Sequence, residues 1–131
     1  MPTFSAVSKL RLGTVHPDLQ RVCLRAVETV PFSVVCGHRG QEAQDRAFAE
    51  GKSKLRWPHG EHNQTPSRAV DLAPIPLDWS NRAAFVDMAR HVLTVAADLA
   101  VSMRWGGDWN RNGRTDDEQF VDLPHFELWK A

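Results

Sequence analysis

Between Lys52 and Arg68 the chain runs through Lys, Arg, Pro, Gly, His and Asn with no apolar period, then turns abruptly into the apolar Ala69 to Leu72. Connections in compact domains mostly span about 4–6 residues, so a polar stretch this long predicts a loop that is itself functional. Any fold adopted by the chain has to seat that loop against a strand. Its final part, HNQTPSRAVD, holds His62 and Asp71 nine positions apart. On a helix that separation is two and a half turns, and the two side chains would not share a face. On a loop that runs into a strand they can converge on one small object, and a metal ion is such an object.

The remaining segments supply a frame for that loop. Pro17 suits a first helical turn, and Leu19, Val22, Cys23, Ala26, Val27 and Val30 recur at three- and four-residue steps until Pro31, which predicts an amphipathic helix. FSVVC, residues 32 to 36, is short, β-rich and stopped by Gly37, as a buried strand would be. GQEAQDRAFAEG, 40 to 51, predicts a helix closed by Gly51. After a strand at Ala69 to Leu72, PIPLDWSN forms a turn into a helix capped near Ser80, with Phe85, Met88, Ala89, Val92, Leu93, Ala96 and Leu99 on its buried stripe. VSMRW, 101 to 105, predicts a further strand, and the alternation after Pro124 a last one. There is no internal repeat or linker, and the expected fold is a single α+β domain over residues 1–131, with a small, mostly antiparallel sheet and flanking helices.

Charge narrows the function. Lys plus Arg and Asp plus Glu both number 16, so no net field draws the chain to nucleic acid or to a membrane surface. The two cysteines, Cys23 and Cys36, lie in apolar patterns and are expected to be reduced, buried thiols. The N-terminus has no signal-peptide core, and no run approaches the roughly 20 apolar residues of a membrane span, so a soluble chain made in the cytoplasm is expected.

A third ligand candidate, His125 in DLPHFEL, stands far along the chain beside another strand signal. Two histidines and a carboxylate match the zinc sets used for hydrolysis, where three protein ligands leave a fourth position for water. Asp122, three residues before His125, fits a base beside a metal that takes the proton of the attacking water and passes it to the leaving amine. The GHRG segment after the first strand offers His38 and Arg39, and a guanidinium there could stabilise the oxyanion of a tetrahedral intermediate. His59 is the alternative to His62 as a ligand, or a substrate contact.

SRAVDLAP preceded by a histidine, the GHR turn followed by Gln44 in a helix, and the closing DLPHFEL resemble the zinc D-alanyl-D-alanine carboxypeptidase group. Within it, the resemblance is closest to phage endolysins that cleave L-alanyl-D-glutamate bonds. It runs from about Val15 to Leu128. It implies His62, Asp71 and His125 as zinc ligands, Asp122 as the catalytic carboxylate and Arg39 as the arginine that steadies substrate and transition state. It also implies the small α+β fold shared with the hedgehog signalling domain and peptidoglycan as substrate. A holin-type partner would give access to the wall from the host cytoplasm, and the chain is expected to act as a monomer. Two departures stand out: the histidine-to-aspartate spacing is longer than usual by two residues, and Asp122 occupies a position where many relatives carry Glu. The alternatives are a carboxypeptidase that trims terminal D-alanine and a non-catalytic metal-binding module of the hedgehog type.

Other features admit two readings each. Asp108, Asn110, Asn112, Gly113 and Asp116 occupy positions one, three, five, six and nine of a calcium loop, but Gln119 stands at the twelfth, where a bidentate Glu is expected; the alternative is a polar turn. Trp57, Trp79 and Trp109 fall in loops where they either line a peptide or glycan groove or cap the core edge. Lys52, Lys54 and Arg56 either meet an acidic substrate or form a solvated surface. Gln44 is expected to be a solvated helix residue with no role beyond support of the site, His16 to sit at a helix start and His91 on a helix surface.

Overall fold

The structure, a computed structural model, describes residues 2–112 and 121–129. Its described elements are α1 (Ala6–Leu12), α2 (Pro17–Val27), β1 (Phe32–Cys36), α3 (Gln41–Ala49), a 3-10 turn (Glu61–Asn63), β2 (Ala69–Pro74), α4 (Arg82–Asp98), β3 (Met103–Trp105) and β4 (His125–Leu128). The strands form one antiparallel sheet in the order β1-β2-β4-β3. The fold class is α+β, as the alternation of periods in the sequence predicts.

Side-chain alternation gives the sheet two different faces. Val34, Val70, Leu72, Phe126 and Met103 join Leu19, Val22, Ala26, Phe85, Met88 and Val92 of α2 and α4 in one buried cluster. The intervening positions carry polar groups, among them Asp71 on β2, His125 and Glu127 on β4 and Arg104 on β3. Asp71 faces His125 across one strand pair, and Glu127 faces Arg104 across the next. The core face holds the domain together, and the opposite face carries the chemistry.

Three local differences from the sequence reading have physical causes. Helix α1 escapes a periodicity search because Val7 and Leu10 point outward. It is fixed instead by polar contacts: the Ser5 side chain accepts from the Ser8 N–H at 3.2 Å, and the Ser8 hydroxyl oxygen accepts from the Val34 N–H at 3.0 Å. The cap of α4 is Asn81, which accepts from the Ala84 N–H at 3.1 Å, while the Ser80 hydroxyl donates to Asp78 at 2.6 Å. Cys23 is fully buried as expected, but Cys36 is only partly buried, because a bulge between Val34 and Cys36 turns the end of β1 toward the polar face.

Two glycines allow the backbone to close around that face. A Cβ on Gly37 would lie 2.4 Å from the Arg11 carbonyl oxygen, and one on Gly106 would lie 2.1 Å from the Asp122 carbonyl oxygen. The second approach fixes the segment before β4, since the Gly106 N–H donates to the His125 carbonyl at 2.7 Å and the Asp122 N–H to the Gly106 carbonyl at 2.8 Å. Gly106→Ala is therefore expected to lower stability by about 1–3 kcal/mol through forced displacement of that segment. Gly40→Ala, where an added Cβ meets nothing within 4 Å, should change stability by less than about 0.5 kcal/mol. Chemical denaturation of the two variants checks this, and equal midpoints would contradict the close approach.

Candidate metal centre

Three elements bring His62, Asp71 and His125 together. His62 comes from the 3-10 turn in the long loop, Asp71 from the middle of β2, and His125 from the first position of β4. His62 Nε2 lies 3.1 Å from Asp71 Oδ1 and 3.2 Å from His125 Nδ1, and His125 Nδ1 lies 3.3 Å from the same Asp71 oxygen. Four donors at about 2.0–2.1 Å from a tetrahedral ion stand roughly 3.3 Å apart, so this triangle has the size of one face of such a site. The three donor atoms fit a metal ion.

Each ligand is oriented by a partner on its far side, as metal-binding imidazoles require. His62 Nδ1 lies 2.8 Å from the Gly37 carbonyl oxygen, which only accepts, so Nδ1 carries the proton and Nε2 is presented to the centre. The loop is held as well, because the Arg39 N–H donates to the His62 carbonyl at 2.8 Å. His125 Nε2 lies 2.7 Å from Glu127 Oε1, which leaves Nδ1 as the inward donor. Glu127 also accepts from Arg104 Nε at 2.9 Å, and the Arg104 guanidinium lies over the rings of Trp109 and Trp129 at 5.2 and 4.6 Å.

The second anchor is Gln44, and the expectation of a solvated helix residue fails for it. Its side chain is buried, its amide donates to Ser53 Oγ at 2.9 Å and the Leu55 carbonyl at 2.6 Å, and its carbonyl accepts from Arg39 and from Asn63, each at 3.1 Å. Every capacity of that amide is used to tie α3, the loop and Arg39 together. The Arg39 guanidinium reaches back to Asp71 Oδ2 at 3.5 Å. The sequence reading assigned Asn63 and Glu127 no role, and Gln44 none beyond support of the site. The only available signal was for Glu127, two positions after His125 and so on the same face of a strand.

The electrostatics follow from burial and charge. Burial opposes the charged form of His62, but the Asp71 carboxylate outweighs it and pushes the imidazole up to about 10. Burial is likewise overcome at Asp71, where His62 and His125 hold the carboxyl well below its usual range. At His125 burial is opposed by Asp71 and Glu127, and the imidazole is raised. Asp122 behaves differently: burial, with the nearby Asp71 charge, lifts its carboxyl above the ordinary carboxylate value. That is the direction expected of a carboxyl that takes and returns a proton near neutral pH.

Two grooves meet at this centre. One, of about 330 Å3, is lined by Arg39, Lys52, Lys54, His62, Trp109 and Asp122 among others. The other, of about 570 Å3, includes Val35, Arg39, Asp71, Trp79, Asp122 and Pro124. Arg39, Lys52 and Asp122 line both. Other candidates lie apart: His59 is exposed outside both grooves, His38 is exposed with its ring 3.5 Å from Thr65 Oγ1, and Trp57 is half-buried and lines neither groove. His16 caps α2, with Nδ1 accepting from the Asp18 N–H at 3.0 Å, and His91 Nε2 donates to the Ala26 carbonyl at 2.9 Å. In the calcium-like loop, Asp108 is buried and accepts from the Asn112 N–H at 3.1 Å, and Asn110 is exposed. Gly113, Asp116 and Gln119 lie outside the described residues.

The profile of the phage L-alanyl-D-glutamate peptidase family matches residues 2–129. The L-alanyl-D-glutamate peptidase of Escherichia phage T5 is 33% identical over 120 residues, which cover 88% of this chain and 87% of that protein. Among solved structures, the L-Ala D-Glu endopeptidase ChiX of Serratia marcescens superposes with a TM-score of 0.76 at 29% identity, covering 97% of this chain and 90% of the other.

The raised imidazoles make metal and proton competitors. Below its raised value His62 is largely protonated in the metal-free protein, so a divalent ion has to displace that proton, and affinity rises with pH. Calorimetric titration in buffers of different ionisation enthalpy should show net proton release near pH 7; no release would contradict the protonated triad. Glu127→Gln is expected to weaken metal binding about 10–100-fold, because the amide no longer fixes His125 with Nδ1 inward. Competition against a chromophoric chelator measures this.

Proposed function

The chain belongs to the phage L-alanyl-D-glutamate peptidase family, and from that premise we propose that it is a zinc-dependent peptidoglycan hydrolase that cuts the L-Ala–D-Glu bond of the stem peptide. The observation that carries the reading is the closed triangle of His62, Asp71 and His125 donors, 3.1–3.3 Å on each edge, at the junction of two grooves that Asp122 and Arg39 both line. Two imidazoles and one carboxylate, with a further position open, are a donor set that suits zinc. When bound, the ion supplies Lewis acidity, lowering the pKa of a coordinated water and polarising the substrate carbonyl.

The residues of the chain do the rest. Asp122 accepts the proton of the attacking water as the water oxygen bonds to the L-Ala carbonyl carbon. It then delivers that proton to the D-Glu nitrogen as the carbon–nitrogen bond breaks, which leaves an alanine carboxylate and a free glutamate amine. Burial raises its carboxyl, the direction that favours holding the proton between the two transfers. Arg39, pinned by Gln44 and Asp71, faces the charge that develops on the carbonyl oxygen. Lys54 in one groove and Lys52, which lines both, offer positive charge to the D-Glu carboxylate.

On this reading the protein reaches the wall through a membrane-permeabilising partner of the holin type and acts as a monomer. Calcium at the loop beginning with Asp108 would modulate the enzyme rather than take part in the chemistry.

The test is digestion of purified peptidoglycan with and without a chelator, with the fragments identified by mass spectrometry. New D-glutamate amino termini that vanish with chelator are expected. Released D-alanine would move the assignment to a carboxypeptidase, and stoichiometric zinc without cleavage would favour a binding module. Asp122→Asn should lower kcat about 100- to 10,000-fold with zinc stoichiometry unchanged; loss of zinc in that variant would make Asp122 a ligand instead.

A further inference from the structure

The groove that leaves the centre past Asp122 and Pro124 contains a residue the chemistry above does not use. Trp79 is 56% exposed. An exposed indole is usually a mobile cost to solubility, but this one is held flat: its ring stacks on Phe85 with centroids 5.5 Å apart and planes at 23°. Phe85 is itself 1% exposed and belongs to the core cluster. Trp79 is thus a rigid apolar plate set into the wall of a groove that also includes Asp71 and Arg39. Ile75 and Leu77, 53% and 57% exposed, lie in the same connection between β2 and α4.

The two ends of the substrate differ in character. On the amine side of an L-Ala–D-Glu bond stands a carboxylate, one carbon from the scissile nitrogen. On the acyl side a single alanine separates the scissile carbonyl from the lactyl ether of a muramic acid ring. Lys54 and His62 line one groove and Lys52 lines both, so cations are at hand for the carboxylate. The second groove also carries Arg46 and Glu50, and among the members it does not share with the first are Val35, Trp79 and Pro124, which offer an apolar face in the groove that contains Asp71. Pyranose rings carry an apolar C–H face that packs on aromatic rings, and a pre-fixed indole loses little entropy on doing so.

We propose that Trp79 is a specificity-determining platform that packs against the muramyl sugar of the substrate, so that the enzyme reads the junction of glycan and stem peptide rather than the peptide alone. This rests on the L-Ala–D-Glu peptidase reading. It gives the connection between β2 and α4 a role in wall recognition.

Two soluble substrates separate the possibilities: N-acetylmuramyl-L-alanyl-γ-D-glutamyl-L-lysine, and the same tripeptide with an acetyl group in place of the sugar. The zinc-loaded wild-type protein should prefer the muramyl substrate in kcat/KM by about 3–10-fold, the range that one stacked ring contact provides, with the difference in KM. Trp79→Ala should abolish the preference while leaving hydrolysis of the acetyl peptide unchanged, and Trp79→Phe should retain most of it. Equal rates on both substrates in the wild type would overturn the proposal. So would a Trp79→Ala variant that slows both substrates alike, the signature of a residue that only supports the core. If the zinc-loaded wild type cleaves neither substrate nor peptidoglycan, the peptidase reading itself fails and the platform falls with it.

Discussion

The structure depends on the Asp71 carboxylate, a charge carried on a sheet strand whose neighbours Val70 and Leu72 are fully buried. Leaving a buried carboxylate unpaired would cost several kcal/mol or force it neutral. Here Oδ1 is met by His62 and His125, and Oδ2 by Arg39. Each of those partners has to be carried in from a different part of the chain. The long loop exists to deliver one, the bulge and glycine after β1 to deliver another, and the return of β4 to deliver the third. The topology β1-β2-β4-β3 puts β2 at the centre of this traffic, so the most expensive group sits where the largest number of elements can reach it.

The same logic orders the surrounding layer. Buried polar networks stabilise only when their members are satisfied, and the residues around the triad meet that condition. Gln44 uses donor and acceptor together, Asn63 accepts from the Gly60 N–H while donating to Arg39 and Gln44, and Glu127 is shared by His125 and Arg104. Among the described residues no buried side-chain nitrogen or oxygen lacks a partner. The consequence is dynamic as much as energetic. A ligand triangle whose members are each held from behind does not have to be assembled by the metal, and preorganised ligands lose little entropy when the metal arrives.

How much of this was legible in the sequence depends on the length scale of the signal. Strand β1 and the stripe of α4 were readable because apolar periodicity is a local property, and FSVVC begins and ends where the structure begins and ends it. The triad was readable for a different reason: His, Asp and His beside strand signals are chemically unusual in three separate places, and the loop between 52 and 68 had no other explanation. What escaped were groups whose roles exist only in three dimensions. Gln44 on a polar-looking helix gives no hint that it is buried, because its four partners, Arg39, Ser53, Leu55 and Asn63, all lie outside α3 on segments with no period of their own. Helix α1 turns Val7 and Leu10 outward and is held by the hydroxyl of Ser8, so it lacks the apolar stripe that announces a helix. Cys36 lies in an apolar pattern, and only the bulge beside it explains why its thiol is partly exposed and donates to the Gly37 carbonyl at 3.5 Å instead of packing in the core.

The donor triangle is held from behind by groups that are not its members. Gly37 fixes His62, Glu127 fixes His125 and Arg39 reaches Asp71, so the three donor atoms stand together through contacts that the fold supplies. Arg39 is in turn fixed by Gln44 and Asp122 by the backbone of Gly106, neither of which belongs to the triangle. On the proposed reading, the groups that would handle protons and negative charge are thus placed by the fold itself.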